Sequence, residues 1–325
     1  MNLLISAAVA SVLLCGCSGS AQQPLKKVAE VPLPDAVNRF DYQSIDQGTG
    51  RLYLSHMGSG KLIVFDTKTN QIIANLPGYK TVTGVLAVPE EGKFYGSAAG
   101  THEVVVADLK TNSVLARVAG ADFPDGIAYA PKERRIFVSD ESGGIELVID
   151  ARTNKALGKI ELGGEAGNSH FDPVTGKIWV AIQTRNEMVS IDPAAMKISG
   201  RHPLPGSDHP HGWSSLNGIA FISCEGNNKL LVTDLRTMKV FQSVNVTEGP
   251  DVLAVDEGLR RLYVGCEGGA VDVFQIETSG RIKPLGKFSA PAAHTVAVDQ
   301  KTHRVYIALK NIGGKPELWV LEPTK

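Results

Sequence analysis

The sequence lacks a cluster of basic residues and carries almost no net charge. Lys and Arg number 33 against 34 Asp and Glu, which gives a formal net charge of −1. Proteins that bind nucleic acid need a basic patch to neutralise phosphate groups. The sequence therefore indicates no nucleic-acid partner.

Local motifs of several enzyme classes are also missing. There is no GxSxG nucleophile elbow, no GxxxxGK phosphate-binding loop and no HExxH zinc motif. A CxxCH site for haem attachment is absent as well. Any catalytic role must therefore come from residues that the fold brings together.

Long apolar runs are lacking except for one short segment at the start of the chain. Residues 1–17 read MNLLISAAVASVLLCGC and contain no charged residue. The segment is too short for an ordinary membrane span and resembles a secretory signal, although no Lys or Arg precedes its apolar part. We therefore expect an exported protein.

The end of this segment, Leu14-Cys15-Gly16-Cys17, resembles the lipobox of bacterial lipoproteins. The resemblance implies that Cys17 becomes the lipidated N-terminus, with the membrane as a partner through that lipid. Residues 18–27 are polar and aperiodic and predict a flexible tether. The expected location is the periplasm or, since Ser18 follows Cys17, the outer membrane. A plain signal peptide cleaved near Ala21 is the alternative.

The rest of the chain is a repeat. One strand type recurs in steps of 42 residues, with a final step of 43, as RLYLSH, KFYGSA, RIFVSD, KIWVAI, IAFISC, RLYVGC and RVYIAL. An Asp closes another apolar strand at the same spacing, at Asp66, Asp108, Asp150, Asp192 and Asp234. Because these aspartates precede turns such as TKTN, we interpret them as turn residues and exclude them from any site.

Each repeat predicts four short strands, and no helical block separates them. Seven four-stranded repeats of this length predict an all-β fold, a seven-bladed β-propeller of antiparallel blades over residues 28–325. The last repeat lacks a fourth strand, and KKVAEVPLP at the start of the domain looks like one. We therefore expect residues near 26–33 to complete the last blade and close the ring.

The strand–Asp–turn–Thr–Asn pattern resembles the YVTN-type β-propeller repeat proteins over residues 28–325. That family includes exported proteins of unassigned role, and related propellers serve as dehydrogenase subunits, lactonases and lyases. The resemblance implies the fold and leaves the function open.

Departures from the repeat identify candidate functional residues. In propellers, the loop before the innermost strand and the loop after the second strand open at one mouth of the central channel. At the first of these places the repeats carry Asp41, Thr83, Asp125, Gly167, His209, Asp251 and His294. At the second they carry His56, Ala98, Asp140, Ile182, Cys224, Cys266 and Leu309, and Glu225 and Glu267 follow the two cysteines.

The polar members of these two columns predict a ligand site at the mouth. The candidates are Asp41, His56, Asp125, Asp140, His209, His211, Asp251 and His294. Carboxylates and imidazoles together could bind a divalent metal ion or transfer protons. Each aspartate could instead cap a turn, and the histidines could be buried between blades.

Cysteine is scarce, and only Cys224 and Cys266 fall inside the repeats. They occupy equivalent places in adjacent blades, so we expect them to lie beyond the ~7 Å that a disulfide bridges. The sequence predicts two free, partly buried thiols.

Two main functions follow from these candidates. The first is a binding or scaffold lipoprotein that presents its channel mouth to a small molecule, glycan or protein. The second is a lactonase-like hydrolase or lyase in which a metal polarises a carbonyl and a His acts as base. A redox subunit is the third, and no cofactor-attachment motif supports it.

Overall fold

A computed structural model describes residues 23–324. The expected signal peptide, Cys17 and the first part of the expected tether lie outside the described residues. Among the residues that are described, no helix is long and apolar enough to cross a membrane.

The described chain forms seven antiparallel sheets of four strands each, arranged as blades of a ring, which confirms the predicted seven-bladed β-propeller. Blade 1 comprises β2 (Gln43–Asp46), β3 (Arg51–His56), β4 (Lys61–Asp66) and β5 (Gln71–Pro77). Blade 2 comprises β6 (Val82–Val88), β7 (Lys93–Ala98), β8 (Glu103–Asp108) and β9 (Val114–Ala119). Blade 3 comprises β10 (Pro124–Ala130), β11 (Arg135–Asp140), β12 (Ile145–Asp150) and β13 (Lys155–Glu161).

The remaining blades follow the same order. Blade 4 comprises β14 (Ala166–Asp172), β15 (Lys177–Ile182), β16 (Glu187–Asp192) and β17 (Lys197–Pro203). Blade 5 comprises β18 (Pro210–Leu216), β19 (Ile219–Cys224), β20 (Lys229–Asp234) and β21 (Lys239–Asn245). Blade 6 comprises β22 (Pro250–Asp256), β23 (Arg261–Cys266), β24 (Ala270–Ile276) and β25 (Ile282–Ser289). Blade 7 comprises β26 (Ala297–Val298), β27 (Val305–Ile312), β28 (Lys315–Pro323) and the first strand of the chain, β1 (Leu25–Pro32).

Strand β1 closes the ring. It pairs antiparallel with β28, from Leu25 opposite Pro323 to Pro32 opposite Glu317. The strand expected near residues 26–33 therefore completes blade 7, and it begins at Leu25, within the segment expected to be a tether. Every strand of the propeller lies within residues 25–323, so this part of the chain contains all the packed sheets.

The strand order gives the ring two distinct faces. In each blade the innermost strand begins at one face, which we call the mouth face, and the second strand returns to it. The third strand leaves the mouth face and the outermost strand comes back. The opposite face, which we call the base face, carries the two remaining turns of each blade.

The core lies between adjacent blades. The strands that the sequence showed as continuous apolar runs are buried on both faces, as β4 and β8 illustrate. Large aromatic side chains fill the interfaces, and the rings of Tyr53 in blade 1 and Phe94 in blade 2 lie 4.7 Å apart between centroids. Buried area of this kind supplies most of the driving force for packing the blades.

The repeated aspartates have the structural role that the sequence predicted. Asp66, Asp108, Asp150, Asp192 and Asp234 each accept a hydrogen bond from the backbone amide two residues later. They thereby fix the turn to the outermost strand at the base face. Cys224 and Cys266 are both free, as expected, and they are fully rather than partly buried.

Candidate functional site

The start of each innermost strand delivers one side chain to the mouth. Pro124 pairs with Asp140 in blade 3, and Pro250 pairs with Cys266 in blade 6. The next residues, Asp125 and Asp251, are therefore equivalent and line the cavity at the mouth.

The register of blade 5 corrects the alignment of His209. Pro210 pairs with Cys224, so the residue equivalent to Asp125 and Asp251 is His211. The loop before β18, residues 204–209, is two residues longer than the one before β14, residues 162–165. The following hairpin turn has two residues, Asn217 and Gly218, instead of four, so the 42-residue step is preserved while the register shifts.

His209 consequently lies outside the cavity. Its side chain is 55% exposed, its φ is +50°, and its Nδ1 lies 2.9 Å from Asp208 Oδ1. His211, by contrast, is 8% exposed and faces the mouth cavity.

The second predicted column is displaced from the cavity by one residue. The last residues of the second strands point between blades and are fully buried, as at His56 and Cys224. The next residue turns inward, which brings Glu141, Glu225 and Glu267 to the cavity wall.

Two column members are therefore structural. His56 stacks on Phe40 with ring centroids 4.2 Å apart. Asp140 accepts hydrogen bonds from the amides of Asp122, Phe123 and Gly143 at 2.7, 2.8 and 2.9 Å and so holds the loop that leads to Asp125. Neither side chain lines the mouth cavity.

The mouth cavity has a volume of about 330 Å³ and is strongly polar. Its wall carries six carboxyl groups and two of the basic side chains at the mouth, which come from loops and from the starts of innermost strands. They belong to Arg39, Asp41, Asp125, Glu141, His211, Glu225, Asp251 and Glu267.

His294 sits beneath this wall among three carboxylates. Its Nε2 lies 3.0 Å from Asp41 Oδ1, and its Nδ1 lies 3.0 Å from both Asp251 Oδ2 and Glu267 Oε1. Burial disfavours the imidazolium, but Asp251, Asp41 and Glu267 outweigh it and raise the pKa of His294 to about 10. His294 also lowers the pKa of Glu267 to about 2.

Arg39 completes this part of the site. Its Nη1 lies 3.5 Å from Glu267 Oε1, and its Nη2 lies 3.1 Å from His294 Nε2. A protonated imidazole has no free lone pair, so Arg39 and His294 act as two donors beside the shared acceptor Glu267. This cation pair neutralises part of the negative charge on the wall.

A second cluster lies on the other side of Asp251. One donor atom from each of His211, Glu225 and Asp251 lies within 4.8 Å of the others. His211 Nε2 is 3.6 Å from Asp251 Oδ1. Asp251 Oδ1 and His211 Nδ1 are buried without a hydrogen-bond partner in the described part of the chain. Burial opposes protonation of His211, but Asp251 and Glu225 raise its pKa to about 9.

Tyr42 forms the floor of the cavity. Its hydroxyl contacts Asp125 Oδ2 at 3.2 Å and His211 Nε2 at 3.3 Å, and it donates to Asn168 Oδ1. Below it lies a channel cavity of about 240 Å³ with largely aliphatic walls. Burial, reinforced by Asp41, raises the pKa of Asp125 to about 8, so this carboxyl is a proton donor near neutral pH.

The blades interlock directly behind these side chains. A Cβ on Gly212 would lie 1.9 Å from the carbonyl oxygen of Asp251, so only glycine allows this approach. Ser223 Oγ donates to the carbonyl oxygens of Gly212 and Asp251 at 2.9 and 3.0 Å. Gly84 and Ser97 hold Asp125 in the same way.

A family model described as "Domain of unknown function (DUF5074)" matches residues 43–257, which cover six of the seven innermost strands and most of the mouth. The chain belongs to the DUF5074 family. No curated protein matches this DUF5074 chain.

Solved structures resemble this DUF5074 propeller in fold. Hydrazine synthase of Kuenenia stuttgartiensis aligns with a TM-score of 0.78 and 14% identity, over 90% of this chain and 97% of that chain. A streptogramin B lyase structure aligns with a TM-score of 0.75 and 14% identity, over 91% and 97% of the two chains. At this identity the likeness establishes the fold alone.

Sequence reasoning missed several residues of the DUF5074 mouth. Arg39 and Tyr42 flank Asp41, and Glu141 follows the column residue Asp140. The acidic residue that follows the second strand in three blades was the available signal, since Glu141, Glu225 and Glu267 share that position. His170 lies in β14 with its ring against Trp213, 4.9 Å between centroids, away from the mouth.

Proposed function

We propose that this chain is a ligand-binding β-propeller that holds a divalent cation at its mouth, between His211, Glu225 and Asp251. The observation that carries the proposal is the convergence of three donor atoms with an unpartnered, buried Asp251 Oδ1 among them. A carboxylate oxygen buried without a partner is costly, and a cation would satisfy it.

The spacing of the donors suits a metal ion. Two ligands bound at about 2.1 Å to one tetrahedral ion lie about 3.4 Å apart, and His211 Nε2 and Asp251 Oδ1 are separated by 3.6 Å. One imidazole with two carboxylates favours Zn²⁺ or Mn²⁺. Three protein ligands leave a coordination position open to water or a ligand in the cavity.

The surrounding charge supports the same proposal. The cavity wall carries more carboxyl groups than cations, and Arg39 and His294 are already engaged with Asp41 and Glu267. Glu225 is destabilised as a carboxylate, because burial raises its pKa. A bound cation would stabilise the charged form of Glu225.

Metal analysis of the purified protein and its variants tests this assignment. We expect one Zn²⁺ or Mn²⁺ per chain, with affinity reduced by roughly tenfold or more in His211→Ala and Asp251→Asn. His209→Ala is the matched control, because that histidine lies two residues away and outside the cavity. Unchanged stoichiometric binding in the first two variants, or no binding by the wild type, would falsify the site.

A second candidate is a metal-assisted hydrolase or lyase at the same mouth. Asp125, with its pKa near 8, places a protonated carboxyl beside Tyr42 and the cation cluster. His294 would serve as a proton donor rather than the base expected from the sequence, because its neighbours keep it protonated. One solved structure with this fold is described as a streptogramin B lyase, and lyase activity is therefore included in this second candidate.

Activity on lactones and esters, measured with and without a chelator, separates the two candidates. The enzyme hypothesis expects turnover that the chelator and Asp125→Asn both abolish. A protein that binds the ion but turns over none of these substrates is a binding module. The resemblance to YVTN-type repeat proteins suits either role.

Export and anchoring through Cys17 are part of the proposed function. The lipobox-like Leu14-Cys15-Gly16-Cys17 supports a lipoprotein of the periplasm or outer membrane. Mass spectrometry of the mature N-terminus tests it, and an unmodified N-terminus near Ala21 would contradict it.

A further inference from the structure

The path of β1 determines which face of the ring lies next to the N-terminal segment. As the outermost strand of blade 7, β1 runs from the base face towards the mouth face. Leu25 pairs with Pro323 at the base, and the hydroxyl and amide of Thr324 bind the carbonyls of Gln23 and Pro24 there. The chain therefore reaches the propeller at the base face, opposite the cavity.

The distance from Cys17 to the propeller is short. Seven residues, 18–24, separate Cys17 from Leu25, and a fully extended chain of this length spans less than about 30 Å. A lipid on Cys17, which is part of the proposed function, would hold the base face close to the bilayer and raise its effective concentration there.

The two faces also differ in charge. The turns of the base face carry exposed basic residues that form no ion pair with any carboxylate of residues 23–324. They are Lys68, Lys110, Lys132, Arg236, Arg281 and Lys301. The turns of the mouth face are mainly acidic and include Asp122, Glu141, Glu165, Asp208, Glu225 and Glu248.

The difference in charge between the two faces arises partly from the repeat itself. The basic residue two places after the capping aspartate recurs at Lys68, Lys110, Arg152 and Arg236. The aspartates are held by turn amides, while most of these basic side chains remain exposed. Glu90, Glu257 and Glu277 lie on the same face and reduce its positive charge.

We propose that the base face is a membrane-docking surface that lies against anionic phospholipid headgroups, so that the mouth is directed away from the bilayer. The inference rests on the proposed anchor for proximity, and on the basic turns for the contact itself. Each Lys or Arg near an anionic bilayer contributes attraction that decays within a Debye length. The acidic mouth would be repelled by the same surface.

Vesicle binding by residues 18–325, which contain every strand of the propeller, tests the surface without a lipid. The vesicles are pure phosphatidylcholine or a 3:1 mixture with phosphatidylglycerol, at low salt. We expect binding to the anionic vesicles only, weakening as salt rises. Lys68→Glu, Lys110→Glu and Lys132→Glu combined should reduce it by roughly tenfold or more.

The matched control places the same charge change on the mouth side, as Lys80→Glu, Lys310→Glu and Lys315→Glu, and should leave binding within about twofold of wild type. Equal loss in both triple variants, or no preference for anionic vesicles, overturns the docking surface. Failure of the anchor is a separate outcome, because mass spectrometry of the full chain reports lipidation whether or not the vesicles bind.

Discussion

Single residues that break the repeat differ sharply in what they do. His211 and Asp251 converge on a cavity, whereas Glu146 is sealed between blades. Glu146 is fully buried on β12, where the equivalent residues of the neighbouring blades are Val104 and Met188. Ser169 Oγ donates to its Oε2 at 3.0 Å, and its Oε1 has no partner in the described chain.

Replacing Glu146 should change how stability depends on pH. Burial raises the pKa of Glu146 from its usual 4.5 to about 8, so the folded state keeps a proton that the unfolded state releases. Between pH 4.5 and about pH 8, the free energy of unfolding should therefore fall by about 1.4 kcal/mol per pH unit. Above about pH 8 it should level off. Glu146→Met should remove that decline, as measured by chemical denaturation at several pH values. If the difference in unfolding free energy between the wild type and Glu146→Met does not change with pH, the raised pKa of Glu146 is wrong.

Gly212 is predicted to position Asp251 through backbone contact. Gly212→Ala would drive a Cβ to within 1.9 Å of the Asp251 carbonyl oxygen and displace the start of β22. We expect weaker binding of Zn²⁺ or Mn²⁺ as well as lower stability. Gly158→Ala on the outer strand β13 is the control, because its Cβ would meet only Met196 Cε at 3.6 Å. Calorimetric titration of both variants checks this, and wild-type affinity in Gly212→Ala would refute it.

At the level of elements, blades are joined at the base by the basic residue that begins the second strand in blades 1, 2, 3 and 6. Arg51 donates to the carbonyl of Leu109 in the next blade at 2.6 Å. Arg135 donates to the carbonyls of Pro193 and Ala194 at 2.6 and 2.7 Å, and Arg261 donates to that of Thr324 at 2.7 Å. A residue that recurs in the sequence thus links one blade to the next.

Removing one of these links should loosen a single interface. Arg135→Ala should lower the free energy of unfolding by about 1–2 kcal/mol, since two charge-assisted hydrogen bonds are lost. Arg135→Lys should recover part of the loss, because an ammonium can donate to a carbonyl of the next blade, as the equivalent Lys93 does to that of Ala151. Denaturation curves of the two variants test this, and an Ala variant as stable as the wild type would exclude the link.

The regularity of the elements determines which features of the fold and the site the sequence could predict. The 42-residue step predicted the strands, the turn aspartates and the closing strand, because each recurs with local hydrogen bonding. It misplaced His209, because a longer loop and a shorter Asn217-Gly218 turn cancel within one step. It missed the roles of Arg39 and Tyr42, because only the closed ring brings them next to Asp125 and His294.

For the whole molecule, closure by β1 is the feature on which the ring depends. Deleting residues 1–33 would remove β1 and expose the edge of β28. It would also leave empty the buried position that Leu25 fills in blade 7. We expect that variant to aggregate or to unfold at much lower temperature, while deletion of residues 1–22 leaves the melting temperature unchanged. Comparable melting of the two deletions would contradict this role of β1.

The seven blades place one mouth at a single end of the channel, and we propose that this mouth holds a cation. Anomalous scattering from a crystal grown with Zn²⁺ locates such an ion directly. We expect one peak about 2.0–2.2 Å from a nitrogen of His211 and from carboxylate oxygens of Glu225 and Asp251. A map with no peak among these three residues, or with the ion at His209 instead, would contradict it.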